Sequence, residues 1–390
     1  MLKGKSIICF SNDWENDPTS KHHVMRLLSE HNRVLWINSI GMRRPSMTRS
    51  DFSRVLVKLK GWCTGLTRVN DNLFHFTPIV LPFPSSKTAR LINRYILQLS
   101  LYYFKKKLRM EKIQLWTFLP NIVEMIGNAG EELLVYYCVD EWSQFTFMDG
   151  ELLRSMEIEL MQRADLVITT ADYLFRDKVQ FNPQTHILTH GVDYDFFAKS
   201  LEDETVVAPD IKHLSAPVIG FFGLIHEWID IELLEYIARS RPKWNIVLIG
   251  KTAVPLTALQ SYANVHVLGQ RAYSELPSYC KGFDLGLIPF KINELTLNVN
   301  PIKMREYLAA GLPVVATALP EIVKYEHVVK VGHTKEEIVE SIELELAADS
   351  AEKRAIRSLA MAEETWEQKV RELSAMVSQI EKKKGLEKQG

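Results

Sequence analysis

The sequence predicts an α/β protein built from two doubly wound, parallel-sheet, Rossmann-like domains. Three observations carry that expectation. Continuous apolar runs of four to seven residues recur along the chain. Runs of that length suit strands buried on both faces of a parallel sheet. Segments of helical period separate them. The alternation persists through both halves of 390 residues, a length that fits about two domains.

In the first half, SIICF, RVLWIN, LFHFTPIV, IQLWTF, LLVYYCV, DLVITT and THILTH are expected strands. Helices are expected over 20–30, 89–109 and 151–163, the first capped by Ser20 or Thr19. HGVDYDFF, residues 190–197, closes the first domain. The stretch AKSLEDETVVAPDIKHLSAP after it is acidic, with Ser and Pro and no core period, and reads as a linker. A second apolar series starts at Val218: VIGFFG, NIVLIG, VHVLG, DLGLIPF, PVVAT and HVVKV. Its helices are expected over 230–240, 301–310 and 334–347. The domains are therefore 1–197 and 198–355, followed by a helical segment, 356–390. Trp366, Val370, Leu373 and Val377 share one face of that segment, which should pack back on the N-terminal domain. The tail from Glu381 reads as frayed.

Composition narrows the class. Hydrophobic residues make up 46% and charged residues 24%, which excludes a disordered or fibrous chain. No stretch approaches the roughly 18 apolar residues of a membrane span. The N-terminal apolar run, IICF, is too short for a signal peptide. Cys9, Cys63, Cys138 and Cys280 form no CxxC pair, so the expected compartment is the cytoplasm. The net charge of -1 hides an asymmetry: residues 41–110 hold 14 Lys and Arg against two acids, a balance of +12. Such a face seeks anions. No nucleic-acid motif accompanies it. The absence of GxGxxG near residue 10 argues against a dehydrogenase.

The stretch NVNPIKMREYLAAGLPVVAT, residues 298–317, is the most informative. Asn300 suits the N-cap, Pro301 the first helical position and Gly311 the C′ position. Lys303 stands in the first turn with Arg305 close behind. Cations there oppose the helix dipole. They make sense if an anion docks on the free N–H groups and Lys303 closes over it; the alternative is a solvated lysine on an exposed turn.

The same stretch resembles the signature of retaining glycosyltransferases of the GT-B fold, the family 4 type (glycosyl transferases group 1). Glu306 sits at the family's second glutamate, which binds ribose hydroxyls. A carboxylate suits that role because it accepts two vicinal O–H bonds. Eight residues earlier, Asn298 stands where the pattern has its first glutamate, the contact to the donor sugar. The resemblance continues over 217–317. Gly223 ends the strand VIGFFG and lets the next loop bend close to a diphosphate. Relatives grip the phosphates there with Arg and Lys. Here the loop reads Leu224, Ile225, His226, Glu227, Trp228, so His226, Lys303 and Lys251 are the candidate substitutes. GVDYDFF looks like the family's inter-domain GVDxxxF, and Asp193–Asp195 within it is a weak DxD metal signal.

In the first half, His23 lines up with a cleft-facing histidine of some relatives. Asp140, with Glu141 and Trp142, follows LLVYYCV at the end of a strand, where ligands bind in open α/β sheets. Asp140 could orient an acceptor hydroxyl or take its proton. The bland readings are a surface histidine and a pair of acids at a helix start. Residues 90–112 join helically spaced Leu91, Tyr95, Leu99, Tyr102 and Leu108 to a basic end, which suits an anionic membrane surface or a helix packed on its own sheet.

The resemblance implies two domains facing a cleft and a C-terminal helix crossing back. The expected enzyme moves a sugar from a nucleotide-diphosphate sugar to a hydroxyl of a saccharide or lipid-linked acceptor, in cell-surface polysaccharide assembly. Retention, no metal and no other cofactor are part of that expectation. So is a cytoplasmic protein, peripheral on the inner face of the membrane. The rivals are a GT-B sugar-nucleotide epimerase or hydrolase, and a catalytically degenerate scaffold.

Overall fold

The computed structural model describes residues 1–15, 18–40, 65–81, 83 and 85–386. It divides into two compact units: Met1–Thr189 with Lys369–Gly390, and His190–Gln368.

The first unit is built on strands β1 (Ser6–Phe10), β2 (Arg33–Ile37), β3 (Leu66–Arg68), β4 (Leu73–Phe76), β5 (Ile113–Thr117), β6 (Glu131–Cys138), β7 (Leu166–Thr169) and β8 (Thr185–Ile187). Among the described residues their order is β3-β4-β2-β1-β5-β6-β7-β8. All neighbours are parallel except the β3–β4 pair. The strand β3 is absent from the apolar pattern because its three residues, LTR, carry no apolar run. LFHFTPIV ends as a strand at Phe76, two residues before Pro78. Ile8, Phe10, Leu35, Leu115, Tyr136 and Val167 of the sheet pack with Leu97, Leu101 and Phe104 of helix Lys87–Lys107.

The second unit holds β9 (Val218–Phe222), β10 (Asn245–Ile249), β11 (Val265–Gly269), β12 (Leu285–Ile288), β13 (Val314–Thr317) and β14 (Lys330–Gly332), ordered β11-β10-β9-β12-β13-β14. Every neighbour is parallel. In each sheet the order reverses at the first strand of the unit, β1 or β9. Crevices at the carboxyl ends of such strands are where open α/β sheets bind ligands.

The boundary falls at Thr189/His190, not after residue 197. HGVDYDFF belongs to the second unit: Val192 N donates to Glu364 O at 2.9 Å. A Cβ on Gly191 would come within 2.7 Å of Trp366 N. Phe197 stacks on Phe222 with centroids 6.1 Å apart. The expected linker is part of the same unit. Ala208 and Ile211 lie in its core, and Asp210 pairs with Arg271 at 2.8 Å.

The return to the first unit begins at Lys369 rather than 356. Helix Ala351–Leu359 stays with the second, where Ser358 Oγ donates to Ala309 O at 2.7 Å. Helix Trp366–Lys383 follows, with Trp366, Val370, Leu373 and Val377 buried. The tail is not frayed at Glu381. That buried carboxylate accepts Lys5 Nζ at 2.7 Å and Gln114 Nε2 at 2.9 Å.

Candidate functional site

In the second unit, helix Ile302–Ala309 starts at the carboxyl end of the sheet, because it joins the parallel strands β12 and β13. Its N-cap is Pro301, which has no side-chain cap bond, and its first turn carries no acid. The first N–H groups are thus left for another acceptor. Its C-terminus closes as a Schellman turn. Leu312 N donates to Tyr307 O at 2.9 Å and Gly311 N to Leu308 O at 2.8 Å. Gly311 adopts φ 78°.

Asn300 is not the cap. It is buried, and its Oδ1 accepts Arg305 Nη1 at 2.8 Å, while Arg305 Nη2 donates to the Tyr325 hydroxyl at 2.7 Å. Asn300 and Arg305 therefore anchor the helix from below. Lys303 turns the other way. Its Nζ lies 2.8 Å from Glu306 Oε2 and 5.0 Å from the Phe222 ring centroid. Phe222 N, at the end of β9, donates to the Tyr307 hydroxyl at 3.0 Å.

Gly223 follows with φ 146°, and a Cβ there would lie 3.2 Å from Lys303 Cε. The backbone thus passes close under the lysine. Gly250, with φ 141°, faces Gly223 so closely that a Cβ would fall 1.8 Å from Gly223 O. The loop of Leu224–Trp228 is held from both sides. Ile225 N donates to Lys251 O at 3.0 Å and Lys291 N to Trp228 O at 2.8 Å. His226 stacks on Trp228 at 4.4 Å and lies 4.0 Å from Glu227 Oε1. Lys251 is exposed. Asn298, half-buried in the turn Thr296–Asn298, donates to Glu294 O at 2.7 Å. Gly223, Lys303 and Glu306 are thus brought together, Lys251 is joined through its backbone to Ile225, the neighbour of His226, and Asn300 serves the interior.

In the first unit, the loop after β1 is pinned to β2: Trp36 Nε1 donates to Asn12 O and Trp14 N to Asn38 Oδ1, both at 2.9 Å. Helix Ser20–Ser29 follows, with Thr19 at its N-cap. His22, not His23, is the buried histidine. It lies between the rings of Trp14 and Trp36, at 4.8 and 5.0 Å, with Nε2 3.2 Å from Trp14 O. Burial lowers it to about 4.

His23 is half-buried one position on. Lys21, two positions before it, is more deeply buried. Lys21 is 8% exposed, and its Nζ stands 5.0 Å from the Trp142 ring centroid. Burial pulls the ammonium below its ordinary value, and the Asp140 charge is the largest influence opposing this. Burial pushes Asp140 up, with Lys21 opposing. Glu141 is not its working partner. It is buried and accepts Lys178 Nζ at 2.6 Å, and Lys178 also binds Glu157 at 2.8 Å. Sequence reasoning passed over Lys21 because two histidines follow it. The signal was the one used for Lys303: a lysine in the first turn after a parallel strand.

Helix Lys87–Lys107 has two apolar faces. Ala89, Leu97, Leu101 and Phe104 are buried, whereas Leu91, Ile92, Tyr95, Leu99, Tyr102 and Tyr103 are exposed, Leu99 at 72%. Of the spaced set expected from sequence, only Leu108 is buried. Lys106 and Lys107 lie over Tyr102 and Tyr103 at 4.4 and 5.9 Å. Lys105 instead donates to Ala129 O at 2.5 Å. The basic residues of 41–64, and Cys63, lie outside the described residues. Cys9, Cys138 and Cys280 are buried free thiols. No helix among the described residues is long and apolar enough to cross a membrane, and none of their His, Cys, Asp and Glu side chains form a group of three able to hold a metal ion.

Residues 216–348 match the family described as glycosyl transferases group 1. Over 235 residues the chain is 28% identical to TuaH of Bacillus subtilis strain 168, named as a teichuronic acid biosynthesis glycosyltransferase. That match covers 55% of this chain and 58% of the relative. Among solved structures, sucrose-phosphate synthase from Thermosynechococcus elongatus superposes with a TM-score of 0.70 at 13% identity, covering 97% of this chain and 99% of that one. HepE from Anabaena, in complex with UDP and glucose, gives 0.64 at 15% identity, covering 96% of this chain and all of the other (100%). At such identities the likeness shows the fold, GT-B.

Proposed function

From residues 216–348, which are a glycosyl transferases group 1 domain, we propose that the whole chain is a glycosyltransferase. It moves a sugar from a nucleotide-diphosphate sugar to a hydroxyl of a saccharide or lipid-linked acceptor in cell-surface polysaccharide assembly. The observation that carries this is the uncapped start of helix Ile302–Ala309, with Lys303 and Glu306 set beside Gly223 at the reversal point of the sheet.

The N–H groups and Lys303 suit a diphosphate, and Glu306 suits the ribose hydroxyls. His226, Lys251 and Asn298 flank that place, and Asn300 holds it through Arg305. During transfer the bond from the anomeric carbon to the diphosphate breaks and a bond to the acceptor oxygen forms. The acceptor proton leaves to a base, for which Asp140 and His23 of the first unit are the candidates. Charge grows on the leaving diphosphate, where preoriented N–H donors and Lys303 stabilise it. The relative named for teichuronic acid biosynthesis supports a polymer acceptor, and HepE, solved with UDP and glucose, makes UDP the first donor nucleotide to try. Retention of configuration and independence of metal are carried from the family.

The acceptor side is placed at an anionic lipid surface. The support is the outward face of helix Lys87–Lys107, where aromatic rings and leucines stand beside Lys106 and Lys107. The rival scaffold reading is favoured by the loop Leu224–Trp228, which lacks Arg and Lys.

The test is release of nucleoside diphosphate from a panel of nucleotide sugars, with and without lipid-linked saccharide. Acceptor-dependent release is expected. Acceptor-independent turnover identifies the epimerase or hydrolase, and no turnover with any donor identifies the scaffold.

A further inference from the structure

In the second unit a side chain takes a place that a strand leaves open. Among the described residues β12 pairs with β9 only at Leu285–Ile219 and Gly286–Gly220. Phe222, two residues further along β9, pairs with Ile249 of β10 on its other side. Its N–H donates not to a strand but to the Tyr307 hydroxyl, at 3.0 Å. Tyr307 is fully buried, and its ring stands edge-on to that of Phe222, with centroids 4.8 Å apart and planes at 75°. Gly286 of β12 leaves the room for it, since a Cβ there would come within 2.6 Å of the Tyr307 ring. Phe222 is also the residue against which Lys303 lies, with Nζ 5.0 Å from its ring centroid. Gly223 comes next, so close beneath the lysine that a Cβ would lie 3.2 Å from Lys303 Cε. Gly223 N donates to Ile249 O at 2.8 Å. The turn is thus tied to β10 through Gly223 and to helix Ile302–Ala309 through Tyr307. A phenylalanine at 307 would fill the same space, so only the hydroxyl makes the second tie. Without it the Phe222 N–H is left buried and unpaired, a state that backbones shift to avoid.

We propose that Tyr307 is a positioning residue of the donor site. Its hydroxyl fixes the Phe222–Gly223 turn against helix Ile302–Ala309, and so sets how closely the Gly223 backbone approaches Lys303 where the two meet a diphosphate. This rests on the glycosyltransferase reading, since the ligand served is that enzyme's donor.

The experiment is calorimetric titration of the full chain and of Tyr307→Phe. The probes are whichever of UDP, GDP, ADP, CDP and dTDP the wild type binds most tightly, and the matching nucleoside. Tyr307→Phe should weaken the diphosphate about three- to tenfold, the range for one neutral hydrogen bond, and leave the nucleoside within about twofold. In a Lys303→Ala background the same substitution should cost less, because the lysine against which the turn is placed is gone. Amide hydrogen exchange gives a second measurement, on the wild type alone, for which no variant need fold. The diphosphate should slow exchange at Phe222, and the nucleoside should not. Equal losses for diphosphate and nucleoside, no loss of either, losses that add to those of Lys303→Ala, or a Phe222 amide that the diphosphate leaves unmoved would each overturn the proposal. A wild type that binds none of the five diphosphates would strike the donor reading itself, and this proposal with it.

Discussion

Lys303 and Glu306 share one ion pair, yet they are assigned different parts of one ligand, and mutation separates them. Lys303→Ala should weaken UDP about tenfold or more while leaving uridine unchanged, because the ammonium meets only phosphate. Glu306→Gln should weaken both, because its partner is the ribose. Calorimetric titration of the two ligands reads this directly, and equal losses in Lys303→Ala would make that lysine structural. Gly250 is predicted to be irreplaceable: a Cβ 1.8 Å from Gly223 O cannot be accommodated, so Gly250→Ala should abolish UDP binding. His22 gives a pH signature. Burial holds its folded value at about 4, below the ordinary 6.5. Its contribution is therefore whole above about pH 6.5 and is lost as pH falls toward about 4, at most roughly 3 kcal/mol. Denaturant titrations of wild type and His22→Gln should diverge within that window and run parallel above it. At this scale the sequence pointed to Lys303, Glu306 and Gly223, because a family pattern and a helix start coincide there, and the structure brings the three side by side. The sequence pointed to His23 rather than His22 and passed over Lys21. Which residue of a helix's first turn faces inward depends on the entry angle of the preceding loop, here set by Trp14 and Trp36.

Single elements divide into those whose period reveals their packing and one whose period misleads. Helix Trp366–Lys383 has one apolar face, and Val370, Leu373 and Val377 are buried as expected. Leu373→Ala should cost about 2–5 kcal/mol in chemical denaturation, the usual loss for a fully buried leucine. A cost under about 1 kcal/mol would mean the helix does not cover the first unit's core. Helix Lys87–Lys107 is apolar on two faces, and the regular spacing of Leu91, Tyr95, Leu99 and Tyr102 marks the outer one. Periodicity detects a stripe without saying what it meets. If that face lies on lipid, cosedimentation with anionic liposomes should be strong at low salt, weak at high salt and weak on neutral liposomes. Lys106→Glu with Lys107→Glu should abolish it, and Leu99→Glu should reduce it. Lys105 is a poor choice for that test, since its ammonium is engaged by Ala129 O. Binding that ignores both charge and Leu99 would remove the membrane assignment.

Across the whole molecule, the alternation of apolar runs and helical segments was enough to reveal two parallel sheets, because strands buried on both faces carry uninterrupted apolar sequence. The boundary lies eight residues earlier than expected because Val192 N donates to Glu364 O and Phe197 stacks on Phe222, which bind HGVDYDFF to the second unit. Nor is the polar stretch after it a loose linker, since Asp210 and Arg271 bind it to the same unit. The antiparallel edge strand Leu66–Arg68 was hidden for the opposite reason, since an edge needs little apolar sequence. The account depends most on one claim, that the second unit holds a nucleoside diphosphate at the start of helix Ile302–Ala309. A ligand that binds only the folded state raises stability by about 2.7 kcal/mol at a hundredfold excess over Kd. The direct measurement is the thermal unfolding of the full chain and of Lys303→Ala with UDP, GDP, ADP, CDP and dTDP, each beside its monophosphate. The account predicts that at least one diphosphate raises the wild-type midpoint well beyond its monophosphate, and that Lys303→Ala loses the difference. A wild-type midpoint that no diphosphate moves would contradict it.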